Sequence, residues 1–208
     1  MTSAHALASD PAERLDEIAA RLKACQLCSG AMPNKPNPIF QVSPTARILI
    51  ASQAPGNLAH QSGVPFNDPS GRRLRAWMGV TEAEFYDASR VAIVPMGFCF
   101  PGYDKHGGDL PPMKQCAPTW RAPLLEQMPA LETILLVGGY AQKWHLGPRA
   151  GRTLAETVSR WQSFIDEGLF PTPHPSWRNN AWLKRHPWFE KDLLPVLQAF
   201  VRSSLQPS

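Results

Sequence analysis

The chain has 208 residues, of which 22 are proline, 43% are hydrophobic and 18% are charged. A chain of this size buries one core as a single domain, and its charge content is too low for a disordered protein. The net charge of +4 is compatible with an anionic partner but excludes a histone-like electrostatic binder. The sequence has no apolar run as long as a membrane span and no secretory pattern, so we expect a cytoplasmic protein without a membrane partner.

The four cysteines form two pairs, Cys25 with Cys28 in a C-x2-C pattern and Cys99 with Cys116 in a C-x16-C pattern. Structural disulfides are rare in a reducing compartment, which favours a metal site over two disulfide bonds. Four thiolates suit either zinc or an iron–sulfur cluster, and the spacing does not distinguish them. Incidental buried thiols remain the alternative to a metal site.

Hydrophobic periodicity predicts alternating helices and strands along the chain. Apolar residues at helical spacing predict an amphipathic helix over 11–24, immediately before the first cysteine pair. Short apolar runs, the first of them β-branched, predict strands at 46–52, 90–96, 132–139 and 168–175. The intervening patterns predict helices near 70–79, 81–87, 119–128, 140–145 and 187–204. This alternation indicates an α/β fold, a single-domain three-layer α/β/α arrangement with a central four-stranded parallel sheet. We expect one domain over 1–208, with flexible ends at 1–10 and 204–208.

Two unusual segments directly follow predicted strands. Ser52-Gln53-Ala54-Pro55-Gly56 comes after the first strand, and the sequence HPSWRNN at 174–180 comes after the fourth. Ligands of open parallel sheets bind beyond the carboxyl ends of the strands. The sequence therefore predicts that these two segments form a binding site together.

Four features of the sequence resemble the uracil-DNA glycosylase superfamily. QAPG at 53–56, followed after six residues by GVPF at 63–66, is similar to the first motif of its iron–sulfur family 4. The cysteine spacing and the segment LVGGYAQKWHLG at 136–147 are also similar to family 4. HPSWRNN is more similar to the H-P-S-x-R-N motif of the single-strand-selective monofunctional uracil glycosylases than to the H-P-A-Y form of family 4. The resemblance extends over residues 20–195.

This resemblance implies an enzyme that flips uracil, with other deaminated bases as further candidates, out of DNA and hydrolyses the N-glycosidic bond to leave an abasic site. It also implies a [4Fe–4S] cluster with a structural role, held by Cys25, Cys28, Cys99 and Cys116. No lysine is placed as a nucleophile, so no lyase step is expected. Because base excision by such a fold needs no partner subunit, we expect a monomer.

The resemblance assigns roles to individual side chains. His174 would donate a hydrogen bond to O2 of the departing base, where negative charge develops. Phe66 would supply the stacking face. Gln53 and His60 complete the catalytic candidates, and the candidates for contact with the base are Phe66, Gln53, Asn67 and Gly56. The candidate DNA contacts are Ser176, Trp177, Arg178, Asn179, Lys184 and Arg185, a set of basic, polar and aromatic residues that suits locally opened DNA.

The sequence departs from the family at the residue that positions water. Ala54 stands where the best-known uracil glycosylases have an aspartate, and His60 matches the carboxylate of family 4. The segment from Ser52 to Asn67 contains no acidic residue. Three alternatives stay open: catalysis mostly by leaving-group stabilisation, which we favour, or a water held by His60 or by Asp68.

Base recognition also departs from family 4. Pro95 stands where family 4 has an asparagine that contacts uracil, so we predict a relaxed base preference. Gly56 leaves open a side that tyrosine blocks in some relatives, although a tight turn would equally require glycine. His106 lies in a loop through which one branch of the superfamily traps DNA covalently, but the surrounding sequence does not match that branch.

Two other classes of function remain as alternatives. The first is a catalytically weak lesion-binding or nucleic-acid-binding iron–sulfur protein with the same fold. The second is a zinc-stabilised α/β module that binds a nucleotide.

Overall fold

A central sheet organises the chain. The computed structural model describes residues 11–206, and within this range four parallel strands form one sheet in the order β2-β1-β3-β4. The strands are β1 (Ile48–Ala51), β2 (Val91–Ile93), β3 (Thr133–Val137) and β4 (Leu169–Thr172). Nearly every strand residue is buried, as expected where helices cover both faces of a parallel sheet. The predicted α/β class and the parallel four-stranded sheet are confirmed.

Helices precede, connect and follow the strands. They are α1 (Pro11–Lys23), α2 (Asn57–Ser62), α3 (Pro69–Met78), α4 (Glu82–Tyr86), α5 (Cys116–Glu126), α6 (Gly139–Leu146), α7 (Leu154–Ser159), α8 (Asn180–Arg185) and α9 (Leu194–Leu205). Helices α2, α7 and α8 were not expected, because a helix of six residues is too short to show a hydrophobic period. No helix of the described chain is long and apolar enough to cross a membrane.

Alternate strand residues face different helical layers. Ile48 and Ile50 of β1 pack with α3 and α9, whereas Leu49 packs with α1 and α5. Successive side chains of a strand point to opposite faces, so this division produces the three predicted layers. Ser204 and Leu205 are buried at the end of α9, where flexibility had been expected. The expected flexible segments at 1–10 and 207–208 lie outside the described residues.

The order of the strands in the sheet determines where a binding site can form. Strand β1 lies between β2 and β3, so the chain leaves β1 toward one edge of the sheet and leaves β3 toward the other. The loops that follow these two strands diverge, which opens a crevice at the carboxyl ends.

Candidate functional site

A cleft of about 800 Å³ opens at the carboxyl ends of the strands. Its walls come from four segments: the loop after β1, the segment that leads into α3, the loop after β2 and the segment after β4. The two unusual sequence segments therefore face the same cleft, as their positions after strands predicted.

The loops that follow β1 and β2 are joined by backbone hydrogen bonds. The N–H of Met96 donates to the carbonyl of Ser52 at 2.7 Å, and the N–H of Gly97 donates to the carbonyl of Gln53 at 2.9 Å. The side-chain Nε2 of Gln53 donates to the carbonyl of Leu110 at 3.2 Å. Gln53 lines the cleft and at the same time holds the loop after β2 in place.

His174 is a half-buried wall residue directly after β4. Asn179 Nδ2 donates to the carbonyl of His174 at 2.7 Å and fixes its backbone. Burial lowers the pKa of His174, an effect that the carboxylate of Asp68 opposes in part. The imidazole is therefore neutral at pH 7 and has one ring N–H to donate.

Phe66 adopts a conformation that L residues rarely take. Its φ is 55°, and no other non-glycine residue of the described chain has a positive φ. Such a residue costs on the order of 1 kcal/mol and is found preferentially at functional sites. A Cβ on Gly71 would lie 1.8 Å from the carbonyl oxygen of Phe66, so only glycine fits there. The ring lines the cleft and contacts Phe85 edge-on, with 6.1 Å between centroids.

The segment after β4 forms one rim of the cleft. Ser176 Oγ accepts from the N–H of Arg178 at 3.3 Å, and Arg178 Nη2 donates to the carbonyl of Gly107 at 2.8 Å. The guanidinium of Arg178 also lies over the ring of Trp177, 5.4 Å from its centroid. Trp177 is 71% exposed. Arg73, which sequence reasoning missed, donates to the carbonyl of Ser176 at 3.2 Å.

Several predicted residues are not part of the cleft wall. His60 lies in the last turn of α2 with its ring against Phe100, 6.1 Å between centroids, and its buried Nδ1 has no hydrogen-bond partner. The unexpected helix α2 turns His60 away from the site. Asn67 is exposed and outside the lining, and so are Lys184 and Arg185 of α8.

Gly56 lines the cleft with an ordinary backbone. Its φ of −81° and ψ of 177° are extended values that any residue adopts, so no tight turn requires glycine here. The nearest atom to an added Cβ would be Asp109 Oδ2 at 4.0 Å. The glycine therefore leaves space between the β1 loop and Asp109.

Asp109 is the main residue that the sequence did not reveal. It lies on a hairpin after β2, in which Tyr103 pairs with Asp109 and the N–H of Leu110 donates to the carbonyl of Gly102 at 2.9 Å. Asp104 Oδ1 closes the tip by accepting from the N–H groups of His106 and Gly108, both at 2.8 Å. His106 itself is exposed and lies outside the cleft lining. The only sequence signal was a Gly-Gly-Asp run in a loop.

A buried arginine supports the floor of the cleft. Arg121 of α5 is fully buried and donates from Nη1 to the carbonyls of Val94 and Pro95. Pro95 lines the cleft. Arg121 Nη2 lies 2.7 Å from Nε2 of His145. Burial, aided by the charge of Arg121, lowers the pKa of His145 to about 3, so the imidazole accepts this hydrogen bond in its neutral form.

The four cysteines line a second, smaller cavity. Cys25 and Cys28 follow α1, Cys99 follows β2 and Cys116 begins α5. All four are free thiols, and the other wall residues include Leu22, Met32, Phe98 and Met113. Burial raises the pKa of both Cys99 and Cys116 to about 11.

Three N–H groups point at these sulfurs. The N–H of Phe98 donates to Cys116 Sγ at 3.4 Å, and Gln115 Nε2 donates to Cys28 Sγ at 3.3 Å. The backbone of Asn37 donates to Cys99. Within residues 11–206, however, no three His, Cys, Asp or Glu side chains are arranged so that they could hold a metal ion.

The sequence model of the Uracil DNA glycosylase superfamily matches residues 39–198. This range covers most of the chain and contains every cleft segment described above. It contains Cys99 and Cys116 but begins after Cys25 and Cys28.

Proposed function

Because the chain belongs to the uracil DNA glycosylase superfamily, whose members act on DNA as glycosylases, we propose that it removes uracil by hydrolysing the N-glycosidic bond, leaving an abasic site. One observation carries the proposal: neutral His174 and the ring of Phe66 line the same cleft. At about 800 Å³, the cleft is within the range of small-molecule sites and has room for a flipped nucleotide.

The residues divide the work of excision between them. The flipped base stacks on Phe66, whose ring is held by an edge-on contact with Phe85. As the glycosidic bond breaks, negative charge develops on the base, and the ring N–H of His174 donates to O2. A preorganised donor of this kind contributes roughly 3 kcal/mol in a site that excludes water.

The rim after β4 would hold the DNA backbone. Arg178 and Ser176 are the candidates for phosphate contacts, and exposed Trp177 offers a face on which a neighbouring base stacks. Lys184 and Arg185 extend the positive charge along α8, beyond the cleft. We therefore expect binding to single-stranded or locally opened DNA.

The base preference should be broad. Pro95 in the floor has no side-chain donor, Asn67 lies outside the cleft, and Gln53 Nε2 is engaged with Leu110. These three positions therefore offer no free side-chain N–H donor with which to distinguish uracil from other deaminated bases. Hypoxanthine and xanthine are the substrates to compare with uracil.

The cysteine cavity would hold a [4Fe–4S] cluster. Four thiolates would also suit a zinc ion, with each sulfur about 2.3 Å from the metal. A cubane cluster takes one thiolate on each iron, so its sulfurs stand farther apart, and hydrogen bonds to the sulfurs are typical of such sites. When bound, the cluster would supply four iron–thiolate bonds that tie the turn after α1 to the loop after β2 and to α5. Absorbance near 400 nm distinguishes the cluster from zinc.

A strand-cleavage assay tests the function. A labelled oligonucleotide containing one uracil is incubated with the protein and then with alkali, as a single strand and as a duplex, beside matched strands with hypoxanthine or xanthine. We expect alkali-dependent cleavage at the modified base and no cleavage before alkali. Cleavage at uracil alone contradicts the broad preference, and absence of cleavage at every base contradicts the glycosylase.

Binding without catalysis is the second candidate, favoured by the lack of an acidic residue from Ser52 to Asn67. It predicts retention of the uracil oligonucleotide in a gel-shift experiment with no alkali-labile product.

A further inference from the structure

Two carboxylates line the cleft among the described residues, those of Asp68 and Asp109. Asp68 already has a structural task, because its Oδ1 accepts from the N–H of Gly71 at 2.8 Å and caps α3. Asp109 has no such task. Within residues 11–206 its carboxylate makes no hydrogen bond, and its surroundings act on it through burial and charge alone.

The hairpin brings Asp109 over the exit of β1. Asp109 Oδ2 lies 4.0 Å from the point where a Cβ of Gly56 would be. The hairpin is held there by Gln53 Nε2 on the carbonyl of Leu110 and by Arg178 Nη2 on the carbonyl of Gly107. A carboxylate from the loop after β2 therefore reaches the space beside the β1 loop, which has no acid of its own.

We propose that Asp109 is the group that positions the attacking water and accepts its proton. This inference rests on the proposed glycosylase function. It names the group that holds the attacking water, which the sequence left open. Asp109 takes the place of His60, whose ring lies against Phe100 outside the cleft lining, and of Asp68, whose carboxylate caps α3.

The proposed step balances as follows in atoms and charge. The water oxygen forms a bond to C1′ of the deoxyribose while the bond from C1′ to the base nitrogen breaks. The electron pair of the broken bond leaves with the base, which departs as an anion beside His174. One proton of the water passes to the carboxylate of Asp109, which becomes neutral and later returns the proton to solvent.

The charges around Asp109 give the step a pH dependence. Asp109 is exposed as a residue, but partial burial of its carboxylate raises its pKa, the guanidinium of Arg178 lowers it, and the carboxylates of Asp68 and Asp104 raise it. Asp68 reaches it from the start of α3, Asp104 from the same hairpin and Arg178 from the segment after β4. The base must be ionised to accept a proton, so the excision rate should fall on the acidic side, at a pH above the usual range for aspartate.

The test is single-turnover excision by the whole protein as a function of pH. We expect Asp109→Asn to lower the rate at pH 7.5 by about 100-fold, a typical contribution of a positioned base. The substitution should also remove the fall in excision rate at acidic pH, while oligonucleotide binding and Tm stay unchanged. The matched control is Asp104→Asn, which removes the same charge from the same hairpin and keeps an Oδ1 that accepts from His106 and Gly108. This control should retain the wild-type excision rate at pH 7.5, and the fall in rate at acidic pH should begin at a slightly lower pH.

The outcomes separate the two proposals. A wild-type protein that excises no base overturns the proposed function. An active wild type with an equally active Asp109→Asn variant overturns the assignment of Asp109 alone. If Asp68→Asn lowers the excision rate strongly and Asp109→Asn does not, Asp68 is the base. That result also overturns the assignment of Asp109. If Asp109→Asn and Asp104→Asn lower the excision rate equally, the rate depends on the negative charge of the hairpin and not on a base at Asp109. That result also overturns the proposal.

Discussion

The cleft and the cysteine cavity share one short segment of chain, yet their chemistry differs. Gly97 donates its N–H to the carbonyl of Gln53 beside the cleft, and the next residue, Phe98, donates its N–H to Cys116 in the cavity. The cleft is wide and lined by both polar and apolar groups, whereas mostly apolar side chains and four thiols, of which only Cys28 is buried, line the small cavity. A substitution in the cavity should therefore lower the stability of the fold, and a substitution in the cleft should lower the rate of base excision.

The largest effect is expected in the cavity. Cys99→Ala removes one of four proposed ligands, and loss of a structural metal centre typically costs several kcal/mol of folding free energy. We expect a colourless protein with a strongly lowered Tm, measured by circular dichroism and by absorbance near 400 nm. Ser29→Ala, at an exposed position beside the first pair, is the control. A brown and fully active Cys99→Ala protein would contradict the structural role.

The next effect belongs to the cleft. His174→Ala should lower the single-turnover excision rate about 100-fold, since an oxyanion-type donor contributes roughly 3 kcal/mol. Tm should stay within a few degrees of the wild type, unlike in Cys99→Ala. His106→Ala, on the exposed hairpin tip, should keep full activity. If His174→Ala unfolds the protein, the expectation that changes in the cleft affect the excision rate and not folding is wrong at this position.

A smaller effect tests the support behind the cleft floor. The folded protein keeps His145 neutral down to a pH of about 3, whereas the unfolded chain takes up a proton near pH 6.5. The free energy of unfolding should therefore fall as the pH drops below about 6.5. At pH 5 the loss attributable to this one histidine is about 2 kcal/mol.

The variant His145→Gln isolates this contribution, because its amide oxygen still accepts from Arg121 but does not titrate. Urea unfolding at pH 7 and pH 5 should show the wild type losing about 2 kcal/mol more than the variant. His174, whose pKa is also lowered, is present in both proteins and cancels. Equal losses would mean that the Arg121–His145 contact does not hold His145 neutral.

The smallest effect is expected at the rim. Trp177 is exposed and offers a stacking face, so Trp177→Ala should weaken binding of a single-stranded oligonucleotide by 1–2 kcal/mol, roughly tenfold. Fluorescence anisotropy measures it, and Trp144→Ala, an exposed tryptophan on α6, serves as the control. Equal affinities for both variants would place the DNA path elsewhere.

Local patterns predicted the sheet because each strand is a short, largely apolar run whose burial on both faces shows directly in the sequence. The cleft followed from the position of its segments after strands. Asp109 and the contact between Arg121 and His145 were not predictable, since each depends on packing between residues distant in sequence. The position of His60 outside the cleft lining was not predictable for a similar reason, because its alignment with a family carboxylate says nothing about the direction of the short helix that carries it.

Two glycines beside the cleft differ in their tolerance of substitution. At Gly71 any Cβ would overlap the carbonyl of Phe66, whereas Gly56 has an ordinary backbone and open space before it. In a library of all single substitutions, position 71 should lose protein abundance with every replacement. Position 56 should keep abundance for small residues while the range of excised bases narrows, so the substrate range of this protein can diverge at Gly56 without first losing its fold.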